Sequence, residues 1–141
     1  MTNVFELPTY EECPDLRDFV FPERIERIVL YHGTSTKFRK KIIKEGLRPS
    51  RETGNYVQGI AFTDGDRVYL GREVAARAKA DETIQTFGGR IIVVKAIVDA
   101  KGLVIDDKVL RFKYVSDWKE SMRHFDTCAY MGTIKDVGII G

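Results

Sequence analysis

An α+β fold is the expectation for this chain, and three observations lead to it. Strand-like runs dominate after residue 85; the helical stretches are few and are mixed with strands in a way that does not fit a doubly wound parallel sheet; and no linker rich in Pro, Gly or Ser divides the 141 residues. One domain over residues 23–141 is expected, preceded by an N-terminal arm over 1–22 in which Pro8, Pro14 and Pro22 punctuate an acidic, aromatic-bearing segment.

The elements follow in order. Arg27 to Tyr31 reads as a strand entering the core, and "LYHGTS" ends it with an aromatic, a histidine and a glycine. Thr36 to Glu45 carries Phe38, Ile42 and Ile43 at helical spacing, with Ser35 or Thr36 as N-cap and Gly46 as the stop. A polar loop, "RPSRETGNYVQG", leads to a short strand "IAFT", a turn at Asp64 to Asp66 and the strand triplet "VYL". Arg72 to about Thr83 is rich in Ala and charge and predicts a second helix, with Val74, Ala75 and Ala78 on one side. "RIIVVKAIVD" is the strongest strand signal, and "GLVIDD" follows closely enough to be its neighbour. Asp106 or Asp107 is placed as the cap of a short helix to Tyr114, "SDWKESMRHF" as another helix, and "TCAYMGTI" and "VGII" as closing strands.

Composition narrows the function. With 23 basic against 21 acidic residues, the chain lacks the polyelectrolyte character that advertises nucleic-acid binding. Cys13 and Cys128 lie far apart, with no Cys-x-x-Cys pair and no His spaced to complete a zinc site, so no metal is expected. The start, "MTNVFELPTYEEC", has neither a basic head nor an apolar run, and no 18 apolar residues are consecutive, which reads as a soluble, cytoplasmic, monomeric protein with no membrane partner.

"LYHGTSTKFRKKIIKEGLRPS" resembles the first motif of the ADP-ribosyltransferase superfamily, in which a strand ends in a His-Gly-Thr triplet and the following helix closes on Gly-Leu. "VYLGREVAARAKA" is similar to the second motif, a tyrosine on a strand before an alanine-rich helix, and the long strand and the "GTI" near the C-terminus agree in order. The resemblance covers roughly residues 27–140. It implies split antiparallel sheets with flanking helices, and NAD as substrate, with ADP-ribose passed to a protein or nucleic-acid acceptor and nicotinamide released.

The resemblance also implies roles. Gly33 would let its peptide N–H and C=O reach the nicotinamide carboxamide, His32 would hydrogen-bond a ribose hydroxyl, Thr34 would support that region, and Tyr69 would stack on the nicotinamide ring. The glutamate that many members carry at the start of a late strand is missing from "HFDTCAYMGTI". Asp126 is the nearest candidate for that third catalytic position, and Glu120 and Asp117 stand further upstream. Two alternatives follow from the departures. One is an RNA 2'-phosphotransferase-like enzyme, although the His-x-His usual in that branch is missing. The other is a module that binds NAD or ADP-ribose without turnover. Read alone, His32 is a strand-end histidine, Tyr69 a core residue, His124 a surface residue, and Lys37, Arg39, Lys40, Lys41, Lys44 and Arg48 the solvated face of a helix.

Overall fold

The computed structural model describes residues 3–49, 66–107 and 115–141. The expected strand "IAFT", the loop from residue 50 onward and the body of the helix to Tyr114 lie outside them. The described chain is α+β, as the sequence predicts. Among the described residues seven strands form one open sheet in the order β5-β6-β3-β2-β4-β7, with β1 joined to β2 outside that path. The strands are β1 (Val4–Glu6), β2 (Arg27–Ser35), β3 (Arg67–Gly71), β4 (Ile91–Asp99), β5 (Leu103–Val104), β6 (Thr127–Met131) and β7 (Val137–Ile139). Every pairing is antiparallel except β1 with β2. Among the described residues three helices flank the sheet: α1 (Arg39–Glu45), α2 (Glu73–Phe87) and α3 (Trp118–Phe125). None of them is long and apolar enough to cross a membrane.

β4 is almost wholly apolar because both of its faces are covered. Ile92, Val94, Ala96 and Val98 enter the main core with Ile28 and Leu30 of β2, Ile42 of α1, Met122 of α3, and Leu16 and Phe21 of the N-terminal segment. Val93 points to the other face, against α2, and is also fully buried. β2 pairs with β4 over its whole length, from Arg27↔Asp99 to Ser35↔Ile91. The strand therefore runs four residues past Tyr31, and the His-Gly-Thr triplet lies inside it.

The N-terminal segment lies against the body of the domain. β1 extends the sheet, and Phe5, Phe19, Phe21 and Trp118 form a chain of ring contacts with centroids 5.1–6.3 Å apart, which ties the segment to α3. Two expectations are corrected. β5 pairs with β6, at Leu103↔Tyr130 and Val104↔Ala129, because both edges of β4 are already taken by β2 and β7. α2 buries Ala76 and Ala80, whereas Val74 and Ala78 are exposed. The face is chosen by Gly33 beneath it, where only a small-residue stripe lets the helix backbone settle on the strand.

The capping expectations at Ser35 and Gly46 hold. Ser35 Oγ accepts from the Lys37 N–H at 3.1 Å and donates to the Gly88 carbonyl at 2.6 Å, so one hydroxyl starts the turn Thr36–Phe38 before α1 and fastens the end of α2. α1 ends at Gly46, whose φ of 80° admits glycine readily.

Candidate functional site at a fork in the sheet

Backbone hydrogen bonds beyond the ends of β2 set the phase of its ladder. Thr36 N–H donates to the Arg90 carbonyl at 2.8 Å, and Ala100 N–H to the Glu26 carbonyl at 2.9 Å. In an antiparallel pair these groups alternate from edge to edge. The even residues of β2 therefore turn their peptide groups toward β4, and Tyr31, Gly33 and Ser35 turn theirs to the opposite edge. On that edge β1 covers the beginning of β2 and β3 meets it at Tyr31↔Gly71, where their ladder stops. Beyond Tyr31 the sheet forks, and the peptide of Gly33 faces the opening.

His32 spans the fork. Its Nδ1 lies 2.7 Å from the Tyr69 carbonyl oxygen. A carbonyl only accepts, so Nδ1 carries the proton and Nε2 of the neutral ring keeps its lone pair. Burial, and to a smaller extent Lys79, push the His32 pKa below its ordinary value, against the pull of the Tyr69 carbonyl. The ring is thus held neutral, in one tautomer, with an acceptor nitrogen to offer a hydroxyl.

This has a consequence for stability. Because the folded pKa lies below 6.5, the unfolded chain takes up a proton that the folded chain refuses once the pH falls through that value. The His32 contribution is therefore complete above pH 6.5 and is lost on acidification. His32→Gln, which cannot titrate, should flatten the decline of unfolding free energy between neutral and mildly acid pH; an equal slope in denaturant titrations of the two proteins would refute the assignment.

Gly33 is pressed on its other side. A Cβ there would sit 1.6 Å from the Ala76 carbonyl oxygen and 3.0 Å from the Ala80 Cβ. The glycine thus serves helix packing and leaves its peptide edge toward the fork, two demands met by one missing side chain. Thr34, buried, follows on the face of His32. Tyr69 pairs with Ala129 of β6 and lies on the face of Gly71 and Tyr31, opposite to the face from which His32 leaves β2. His32 therefore meets the main chain of Tyr69, and the two rings do not start from one side of the sheet.

Asp126 is held by other partners. It caps α3 in the left-handed conformation, φ 60°, one residue before β6 begins, so strand alternation does not extend to it. Its carboxylate accepts from Arg72 Nε at 2.8 Å. Arg72, which precedes α2, also donates to the carbonyls of Cys13 at 2.6 Å and of Pro8 and Pro14 at 3.3 Å, and lies over the ring of Tyr10. Asp126 is thus committed to a buried guanidinium that clasps the N-terminal segment. Burial pushes its pKa up, and Arg72 only partly restrains the rise. Asp117 caps α3 by accepting from the Glu120 N–H, and Glu120 pairs with Arg123 and His124. Asp106 is buried with its N–H directed to Ser121 Oγ, and Asp107 lies 3.9 Å from Arg67.

The structure brings together His32, Gly33, Thr34 and the Tyr69 main chain, and leaves Asp126 in another network. Sequence reasoning missed Arg72. The only signal was its position directly before a helix, and the partners it binds are mostly carbonyls, which no side-chain pattern discloses. Compared with known proteins, the chain matches no family model and no curated protein.

Proposed function

We propose that this protein is an NAD-dependent ADP-ribosyltransferase that binds the nicotinamide end of NAD at the fork between β2 and β3. The observation that carries the reading is the juxtaposition there of an outward-facing Gly33 peptide and a neutral His32 with Nε2 as acceptor. A peptide N–H and C=O side by side match a planar carboxamide, and an acceptor nitrogen matches a ribose hydroxyl. In this reading Tyr69, whose side chain leaves the sheet on the face opposite His32, stacks on the nicotinamide ring. Cleavage of the nicotinamide bond leaves an oxocarbenium-like ribose carbon, for which a carboxylate is the natural stabiliser.

The commitment of Asp126 to Arg72 favours a second reading, a module that binds NAD without turning it over. Incubation with NAD labelled in both halves separates the two. Release of nicotinamide with transfer of label to protein or nucleic acid supports the transferase; binding without release supports the module; neither binding nor release refutes both. Tyr69→Ala should weaken NAD binding by about 1–2 kcal/mol through lost stacking and area, since the His32 bond to its main chain survives the change. Calorimetry on the variant and the wild type checks the figure.

A further inference from the structure

We propose that the groove between α1 and β7 takes up an extended, acidic segment of a partner protein, which adds as a strand to the outer edge of β7. This groove does not depend on NAD binding at the fork. β7 ends the strand order, so among the described residues nothing pairs with its outer side. Ile97 N–H donates to the Asp136 carbonyl at 3.0 Å and Ile140 N–H to the Val93 carbonyl at 2.9 Å, which turns residues 136, 138 and 140 toward β4. Val137 and Ile139 therefore turn their peptide groups outward. The Val137 N–H is spent on the Lys135 carbonyl at 3.0 Å. What remains is the Val137 carbonyl together with the N–H and C=O of Ile139, the donor and acceptor spacing of one ladder step.

A groove of about 450 Å³ lies beside this edge. Ile42, Ile43, Val137 and Ile139 give it an apolar lining, and Ile43 is 67% exposed, as a side chain awaiting cover would be. Arg39, Lys44 and Lys135 supply the charge, and no carboxylate among the described residues pairs with them; Glu45, the acid of the groove, is held by Arg48 at 3.2 Å. An apolar lining under basic charge fits a strand whose apolar and acidic residues alternate. Among the described residues no aromatic side chain lines the groove, so they offer no stacking platform of the kind by which single-stranded nucleic acid is usually held.

The test uses a short fluorescent peptide alternating Asp or Glu with Val or Ile, read by anisotropy against the full chain. The peptide should bind, and a version with its acids clustered at one end should bind less well. N-methylation of one alternating set of peptide amides should abolish binding, and of the other set should leave it intact, because a ladder uses only one set. Lys44→Glu with Lys135→Glu should weaken binding about tenfold or more while the thermal melt is unchanged. The proposal is overturned by no peptide binding, by equal tolerance of both methylated sets, by indifference to the charge reversal, or by a thymidine oligonucleotide that binds in the peptide's place. Where the double reversal disturbs the melt, the two methylated peptides on the wild-type protein decide alone.

Discussion

Gly33→Ala is expected to be the most damaging single methyl that can be added to the described chain. The new Cβ would lie 1.6 Å from the carbonyl oxygen and 2.5 Å from the carbonyl carbon of Ala76. These are main-chain atoms in the first turns of α2, so no rotamer change relieves the clash, and the helix must lift from β2 and β4. Overpacking a core commonly costs about 1–3 kcal/mol where side chains can adjust. Here the cost should reach about 3 kcal/mol or more, a large part of the stability of a domain this size. Gly138→Ala is the control, since its Cβ would meet nothing within 4 Å, and it should change stability by less than about 0.5 kcal/mol. Denaturant unfolding of the three proteins reads both figures. Loss of NAD binding in Gly33→Ala would not show contact with the ligand, because the fold itself is disturbed.

Arg72→Met is expected to be nearly as severe. The Arg72 side chain is 6% exposed, and its removal leaves the Asp126 carboxylate, 22% exposed, without its counter-charge and the carbonyls of residues 8–14 without their donor. Breaking a buried pair from one side costs about 3–5 kcal/mol, although the intact pair adds little, since desolvation offsets its attraction. The raised pKa of Asp126 is the sign of that offset here. Asp126→Asn should cost less than Arg72→Met, because Asn is at home in the left-handed conformation and keeps the cap of α3. The double variant should recover part of the loss of Arg72→Met, since it buries no lone charge. A double-mutant cycle with zero coupling would contradict the described clasp.

The fold class was legible because its signals are local. β-branched runs marked β2 and β4, and Ser35 and Gly46 marked the ends of the first helical segment. What escaped was set by pairing and by faces. The sequence stops β2 at Tyr31 since polarity rises there, but β4 continues to pair through Ser35. α2 shows Val74 and Ala78 to solvent because the position of Gly33 ranks above hydrophobicity in choosing the buried stripe. β5 lies next to β4 in sequence and beside β6 in space, because no edge of β4 was left. At the site, His32, Gly33 and Tyr69 stand out as residue types, but the contact that joins them is between a ring and a main-chain carbonyl. Asp126 stands out as an acid near a late strand, and nothing local shows that an arginine 54 residues earlier already holds it.

The fork as the nicotinamide site is tested most directly by following backbone amide and imidazole nitrogen resonances of the wild-type protein during titration with NAD and, separately, with ADP-ribose. NAD should shift the Gly33 amide and its neighbours in β2 and move His32 Nε2, while Nδ1 stays bonded to the Tyr69 carbonyl. ADP-ribose, which lacks the carboxamide, should leave the Gly33 amide near its free position. An NAD titration that leaves Gly33 and His32 unmoved, whether because NAD does not bind or because its shifts lie elsewhere in the chain, would contradict the account.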